Sequence, residues 1–301
     1  MKIGIDIGGS HIGVGIIDGS EIIASKEKNF NRDDRKNMEQ TILITIQNLI
    51  NELLNENNLI IDDIKLIGIA APGTISNGVI VKAGNLGLQN FDIVSKLKEL
   101  YNNPIQIRND AKCAGLAEKK YGAMKDYDDC VFINIGTGIG GAAFLGGKLL
   151  EPKRFSGFEF GHMILNKGGR LCSCGKQGCF EAYSSIKALK NKVTETLDVD
   201  SDISGQYLRE ELLIKDNPGV REDIEVFLDY LKTGIGNLID IFEPEIVCLG
   251  GSFAYYEGNP ILDRLIQKLQ EPGSTFNTGF LPMITTAKLK NDAGIIGAVI
   301  E

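Results

Sequence analysis

Three short glycine-rich segments, each with a hydroxyl residue, follow apolar stretches of the sequence. They are Asp6-Ile7-Gly8-Gly9-Ser10, Gly136-Thr137-Gly138 and Gly250-Gly251-Ser252. Glycine lets backbone N–H groups approach phosphate oxygens because no Cβ is in the way, and the hydroxyls add donors. For any one of these segments a plain hairpin turn is the better explanation, and only the three together favour phosphate binding. Asp6 can hold Mg²⁺ through water, and we assign His11 to the first turn rather than to a catalytic pair.

A second set of residues has the composition of a metal site. Cys172, Cys174 and Cys179 lie within eight residues, and His162 precedes them by ten. Three thiolates and one imidazole complete a tetrahedral Zn²⁺ site with no position left for water, which predicts a structural role for the metal. The alternative is three unrelated buried thiols. The remaining cysteines lie in apolar contexts typical of core positions.

Three carboxylates are candidates for binding or deprotonating a substrate that carries hydroxyl groups. Asp110 follows Asn109 directly after an apolar stretch, and phosphoryl transfer needs a carboxylate that accepts the proton of the attacking hydroxyl. From the local sequence alone, an N-cap role at the following helix explains Asn109 and Asp110 at least as well. Glu159 and Glu181 flank the predicted metal ligands and would accept hydrogen bonds from vicinal hydroxyls. Without the metal site, surface glutamates would be the preferred interpretation.

The elements that position these residues repeat along the chain. Strands are predicted at 3–7 and 12–17, and a shift of 128 residues places the same strand, glycine turn and strand over 130–145. Two such copies facing each other could hold one phosphate chain from both sides. Apolar residues at helical spacing predict helices at 38–57 and 221–242, with a further helix at 111–120. Alternation of strands and helices indicates an α/β architecture.

Bulk properties limit the classes of function. The 301 residues suggest about two domains. The net charge of −8 argues against a nucleic-acid-binding surface, and no run approaches the length of a membrane span. Asp6 and the glycines interrupt the apolar stretch that a signal peptide would need, so we expect a cytoplasmic protein.

Taken together, these segments resemble the ROK family of repressors, uncharacterised frames and sugar kinases. The resemblance spans essentially the whole chain and is most specific around the cysteines. The segments that carry it are Asp6–Ser10, Ala71-Pro72-Gly73, Asn109-Asp110-Ala111, Gly136–Gly141, Glu159–Met163 with Cys172–Glu181, Pro244–Gly251 and Ala293–Ala298.

The resemblance implies the actin-like ATPase (ribonuclease H-like) fold, with two lobes around a central cleft. We expect an N-terminal lobe of residues 1–108 plus a C-terminal helix at 289–301, and a C-terminal lobe of residues 109–288 that carries the zinc site. The resemblance also implies ATP-dependent phosphorylation of a hexose-type sugar, with Asp110 as general base. Asn109, Glu159, His162 and Glu181 would contact the sugar, Gly73 would approach it by its backbone, and His162 would use its second ring nitrogen. The family also implies a homodimer or homotetramer.

Two departures from the family pattern affect the substrate. Ser10-His11 stands where Thr followed by Lys is common, and Asn85–Gln89 lacks the tryptophan often found there. Glucose, N-acetylmannosamine, N-acetylglucosamine, fructose and allose therefore remain open as substrates. A non-catalytic sugar-sensing regulator and an acetate-type kinase are the alternatives. Family repressors carry an N-terminal DNA-binding module, and we expect none here because the first strand begins at Lys2.

Overall fold

A computed structural model describes residues 1–30, 34–155, 157–200, 203–256, 260–277 and 279–301. It divides into two compact units. The first contains Met1–Gly122, Glu151–Gly157 and Asn291–Glu301, and the second contains Ala123–Leu150 and Phe158–Lys290. The predicted boundary after residue 108 therefore differs from the division seen here. The difference arises because the helix after residue 109 packs on the C-terminal helix, and both belong to the first unit.

The first unit is built on a five-stranded sheet in the order β3-β2-β1-β4-β8. Its strands are β1 (Lys2–Ile7), β2 (His11–Asp18), β3 (Glu21–Asn29), β4 (Ile67–Ala71) and β8 (Ile105–Asn109); its helices are α1 (Met38–Glu56), α2 (Ile93–Lys98), α3 (Asp110–Tyr121) and α9 (Asp292–Ala298). Short 3₁₀ turns lie at Asp34–Asn37 and Ile61–Asp63. The apolar stripe predicted for α1 is buried, as its members Ile42, Ile46, Leu49, Leu53 and Leu54 show. These side chains pack in one core with the sheet, which confirms the helical interpretation.

A small antiparallel sheet in the first unit is absent from our sequence predictions. It consists of β5 (Thr74–Ser76), β6 (Val79–Ala83) and β7 (Leu88–Phe91), in the order β5-β6-β7. Strands this short give too few alternations for a periodicity argument. The Asn77-Gly78 pair between β5 and β6 is nevertheless a strong hairpin signal that could have revealed it.

The second unit contains the second five-stranded sheet, in the order β11-β10-β9-β12-β13. Its strands are β9 (Cys130–Ile135), β10 (Ile139–Leu145), β11 (Lys148–Leu149), β12 (Ile246–Gly250) and β13 (Met283–Thr286); its helices are α4 (Glu181–Ser184), α5 (Ile186–Leu197), α6 (Gly205–Tyr207), α7 (Arg221–Phe242) and α8 (Pro260–Leu269). A π-helical segment at Leu208–Ile214 and 3₁₀ turns at Phe160–His162, Pro218–Val220 and Gly251–Tyr256 complete it. The buried face of α7 is part of the core of this unit.

The internal repeat extends from the glycine hairpins to the whole of both sheets. In each sheet an antiparallel three-stranded segment continues into two parallel strands. The two hairpins differ by one residue. Ile7 pairs with Ile12 across a four-residue turn, whereas Ile135 pairs with Ile139 across a three-residue turn. The spacing of 128 therefore holds up to the turn and changes by one after it.

Candidate active site

The carboxyl ends of β1, β4 and β8 bring the candidate catalytic residues of the first unit to one sheet edge. The three strands are parallel, with Asp6 opposite Ala70 and Ala71 opposite Asn109. Side chains that follow parallel strands meet at the same edge, which is where α/β sheets place their ligands. Asp6, Asn109 and the segment that leads to Gly73 are therefore neighbours, although they are far apart in sequence.

Asn109 joins two parts of this edge. Its Oδ1 accepts a hydrogen bond from Lys112 N at 3.3 Å, which makes it the N-cap of α3. Its Nδ2 donates to Gly73 O at 3.1 Å. Gly73 has φ of +84° and packs directly on the Lys82 carbonyl, so a side chain there would be strained and would overlap the backbone. Asn109 thus caps the helix and also holds the Gly73 loop.

Asp110 begins α3 and lies close enough to Asp6 to influence its charge. One Asp110 oxygen accepts from Ala111 N at 2.8 Å. Burial, followed by the charge of Asp110, raises the pKa of Asp6 to about 7. Asp6 as a residue is partly exposed, but its carboxyl packs against the backbone of α9, with Oδ2 2.5 Å from the position a Cβ on Gly294 would take. The two carboxylates form an acidic pair that a bound cation would relieve.

The first glycine turn closes the β1–β2 hairpin. Gly8 N donates to His11 O at 2.9 Å, and Ser10 Oγ lies 3.4 Å from His11 Nδ1. A Cβ on Gly9 would lie 3.1 Å from Asn85 Nδ2. The turn, which begins two residues after Asp6, therefore carries a hydroxyl, an imidazole and close-packed backbone within the first unit.

The second and third glycine turns are neighbours in the second unit. Gly136 N donates to Gly138 O at 2.9 Å, with Thr137 between them. β12 pairs with β9 so that Gly250 lies opposite Asn134, and Ser252 Oγ lies 3.9 Å from the position of a Cβ on Gly136. Gly251 has φ of +66°. Backbone N–H groups and two hydroxyls are thus collected at one end of the second sheet.

The four predicted metal ligands form one cluster in the second unit. One donor atom from each of His162, Cys172, Cys174 and Cys179 lies within 4.8 Å of the other three. The separations are 3.7 Å from Cys172 Sγ to His162 Nδ1 and 3.7 Å from Cys174 Sγ to Cys179 Sγ. Thiolates bound to one Zn²⁺ at about 2.3 Å in a tetrahedron would be about 3.8 Å apart. The donor set and its spacing therefore fit a zinc ion.

Glu181 connects this cluster to the second glycine turn. Its Oε2 accepts from Ile139 N at 3.0 Å, immediately after the turn. Its Oε1 accepts from Ser173 Oγ at 2.8 Å and lies 3.6 Å from Cys172 Sγ. The same carboxylate is 2.5 Å from the position of a Cβ on Gly138, so that glycine cannot be replaced without displacing it. Glu181 thus lies between the metal ligands and the turn.

Glu159 and His162 share one short 3₁₀ turn. His162 N donates to Glu159 O at 3.0 Å, which fixes the spacing between the two residues. The Glu159 residue is exposed, and His162 is partly exposed. Since His162 Nδ1 faces Cys172, its Nε2 is the nitrogen left for a second partner.

The family model for the ROK family matches residues 2–300. The chain belongs to the ROK family. Among its relatives, a glucokinase of Halalkalibacterium halodurans is 29% identical over 98% of this chain and 92% of that protein. The xylose repressor of Bacillus subtilis is 33% identical over 65% of this chain and 50% of its own length. The ROK family thus includes both enzymes and regulators among the relatives of this chain.

A solved ROK structure has the same fold. The ROK hexokinase from Thermus thermophilus is 27% identical, and the alignment covers 99% of this chain and 96% of that chain with a TM-score of 0.77. The expected actin-like ATPase fold is therefore confirmed. No helix in the described ranges combines the length and apolar character needed to cross a bilayer.

Three residues near the ROK motifs were not predicted from the sequence to be site residues. Ser173 lies between two predicted metal ligands, yet its hydroxyl binds Glu181. Asn85 packs against the first glycine turn from a distant loop. Lys112, two residues after Asp110, is buried and donates from Nζ to Gly157 O at 2.9 Å. A lysine in the first turn of a helix is ordinarily exposed, so the sequence does not predict the burial of Lys112 and only the tertiary structure shows it.

Proposed function

We propose that this ROK protein transfers the γ-phosphoryl group of ATP to a hydroxyl of a hexose-type sugar. The main observation behind this proposal is that Asp6, Asp110 and the Asn109–Gly73 pair lie together at the carboxyl ends of β1, β4 and β8. Family membership and the glucokinase relatives support an ATP-dependent sugar kinase. The three glycine turns are the candidate phosphate contacts: Gly8, Gly9, Ser10 and His11 at the first, Gly136, Thr137 and Gly138 at the second, and Gly250, Gly251 and Ser252 at the third.

In the proposed reaction Asp110 acts as general base. Its carboxylate accepts the proton of the sugar hydroxyl while that oxygen bonds to the γ-phosphorus, and the bond to the bridging oxygen breaks to release ADP. Mg²⁺ would supply charge neutralisation of the phosphates, with Asp6 as its holder through water. The raised pKa of Asp6 in the free protein is consistent with this role, because burial beside a second carboxylate favours the arrival of a cation.

The candidate sugar contacts in this proposal are the Asn109 side chain, the backbone at Gly73, and the side chains of Glu159, His162 and Glu181. A zinc ion held by His162, Cys172, Cys174 and Cys179 would fix the Glu159–His162 turn and the Glu181 carboxylate. Its role is structural because the four protein ligands complete its coordination. A homodimer or homotetramer and a cytoplasmic location stay predictions.

Replacement of the candidate base tests the proposal directly. Asp110→Ala should reduce ADP release in a coupled assay by at least about 1,000-fold, since it removes both the proton acceptor and the group that orients the hydroxyl. The matched control is Asp126→Ala, an exposed aspartate of the second unit. Turnover by Asp110→Ala at the wild-type rate would refute the assignment. A panel of glucose, N-acetylmannosamine, N-acetylglucosamine, fructose and allose identifies the substrate.

The second candidate function is sugar sensing without catalysis. The observation that favours it is the similarity to the xylose repressor of Bacillus subtilis. A sensor has no need of a proton acceptor beside the hydroxyl, so the Asp6–Asp110 pair argues for the enzyme. Sugar binding by calorimetry with no ADP release from any sugar of the panel would select the sensor.

A further inference from the structure

The first unit contains a pocket that shares only Asn109 with the proposed kinase site. Its volume is about 380 Å³, and it runs along the open edge of β8, from Ile105 to Asn109. A water molecule occupies about 30 Å³ of liquid, so the pocket has room for roughly a dozen waters. That is also the lower part of the size range in which proteins bind small molecules, about 300 to 1,000 Å³. Asp110 and Gly73 do not line it.

The outer wall of the pocket is the segment Glu151–Phe155. Three contacts hold this part of the chain in the first unit. Arg108 Nε donates to Glu151 Oε1 at 3.2 Å, Ser76 Oγ donates to Arg154 O at 2.9 Å, and Lys112 Nζ donates to Gly157 O at 2.9 Å. The wall is therefore a built feature of this unit.

The charge of the lining is opposite to that of the protein. Four cationic side chains face the pocket, those of Arg108, Lys112, Lys153 and Arg154, against the single carboxylate of Glu151. The chain as a whole carries a net charge of −8. Within the described residues, Lys153 and Arg154 form no ion pair, although the Arg154 guanidinium lies 5.3 Å from the ring centre of Phe155. A local excess of cations around a concave site attracts anions.

The rest of the lining is apolar. Ile75, Val94 and Ile107 form the inner side, with Pro152 and the Phe155 ring on the outer segment. Such a surface suits a short carbon skeleton rather than a bare, fully hydrated ion.

We propose that this pocket binds a small phosphorylated metabolite, with its phosphate held by Lys153 and Arg154 and its carbon skeleton against the apolar wall. Arg presents a planar fork of donors that matches phosphate oxygens, and Lys adds a point charge. The occupant would touch Asn109 and Lys112, which lie on either side of Asp110 at the start of α3. An effect of the ligand on turnover rests on the proposed kinase function, whereas its binding does not.

Calorimetric titration of the full chain tests the site. The probes are glycerol 3-phosphate, inorganic phosphate and glycerol, each added in the presence of saturating AMPPNP, a non-hydrolysable ATP analogue, so that the phosphate turns are occupied. We expect glycerol 3-phosphate to bind at least about 10-fold more tightly than inorganic phosphate, and glycerol not to bind measurably. Equal affinity for inorganic phosphate would overturn the part of the proposal that concerns the carbon skeleton.

Three variants separate this site from any other. Lys153→Gln/Arg154→Gln should weaken binding at least about 10-fold, because each lost charge-assisted hydrogen bond is worth 1.5 to 3 kcal/mol, roughly 10- to 100-fold. Glu151→Gln should strengthen binding, since it removes the one carboxylate of the lining and leaves an amide oxygen that can still accept from Arg108 Nε. Lys65→Gln/Lys98→Gln, which removes the same charge from exposed positions of the same unit, should leave binding unchanged.

The results that overturn the proposal are equally specific. The first is the absence of heat with all three probes. The second is an equal loss of affinity in Lys153→Gln/Arg154→Gln and in Lys65→Gln/Lys98→Gln, and the third is weaker binding after Glu151→Gln. Lys153 and Arg154 are exposed, so their replacement should not affect folding, and equal thermal midpoints confirm this. None of these measurements requires turnover, so a failure of the kinase assay would leave the binding result readable.

Discussion

Asp6→Asn should stabilise the free protein, and the gain should grow with pH. The Asp6 pKa is raised from 3.8 to about 7 in the folded state. Between these values the folded chain binds a proton that the unfolded chain has released, so wild-type stability falls as the pH rises through this window. Above pH 7 the full cost of the buried charge is present. Asparagine has no charge to bury and avoids that cost.

The magnitude follows from the two pKa values. Each pKa unit corresponds to about 1.4 kcal/mol, so the cost is roughly 1.7 kcal/mol at pH 5 and about 4 kcal/mol at pH 8. The difference of roughly 2.5 kcal/mol is the expected pH-dependent gain, and solvent that reaches this partly exposed residue reduces it towards about 1 kcal/mol. Asp110 is the smaller of the two causes, so Asp110→Asn should remove less than half of the effect.

Thermal denaturation of wild type and variants at pH 5 and pH 8 measures this difference. The buffer contains no Mg²⁺, because a bound cation would neutralise the pair, and no chelator, which would strip the cysteine cluster. At about 2 to 4 °C per kcal/mol, the advantage of Asp6→Asn should increase by roughly 2 to 10 °C between the two pH values. Asp18→Asn, at the exposed end of β2, is the matched control. An equal advantage of Asp6→Asn at both pH values would refute the argument, as would complete loss of the pH dependence in Asp110→Asn.

The remaining predictions concern the metal cluster, the Gly73 loop and Glu181. Elemental analysis should find about one zinc ion per wild-type chain and less than about one tenth of a zinc ion per chain after Cys174→Ser. The control variant Cys248→Ala should keep the metal. A wild-type protein that is well folded and free of metal would contradict the site. Gly73→Ala should lower the free energy of unfolding by more than about 2 kcal/mol, because the alanine strains the backbone and its Cβ overlaps the Lys82 carbonyl. Gly87→Ala should lower it by about 1 kcal/mol, because Gly87 also has a positive φ, of +68°, but its Cβ would point into open space. Thermal denaturation measures both. Equal costs would show that the Gly73 backbone is free to move. Glu181→Gln should keep the zinc but lower kcat/KM about 10-fold, as a charged acceptor is replaced by a neutral one; unchanged kinetics would place Glu181 outside the site.

Local sequence was sufficient for the features that depend on neighbouring residues. The glycine hairpins, the stripe on α1 and the repeat all follow from periodicity and turn chemistry, which act over a few residues. The Cys172-x-Cys174-x₄-Cys179 spacing belongs to the same class, because a short loop determines which thiols can meet. The start of α3 shows the limit. Asn109 is the N-cap of this helix, and capping by Asn109 gives no role to Asp110.

The tertiary structure decided what depends on strand order. Asp6 and Asp110 lie 104 positions apart, and only the parallel pairing of β1, β4 and β8 brings them together. The pocket beside β8 arises because residues 151–155 pack in the first unit, which no local pattern specifies. Glu181 is a further example, since its two oxygens are held by a hairpin and a cysteine loop that the sequence separates. Contacts between distant segments are selected by the packing of whole elements. For that reason the sequence alone indicated the candidate residues and their chemistry, whereas the fold decided which of them lie together.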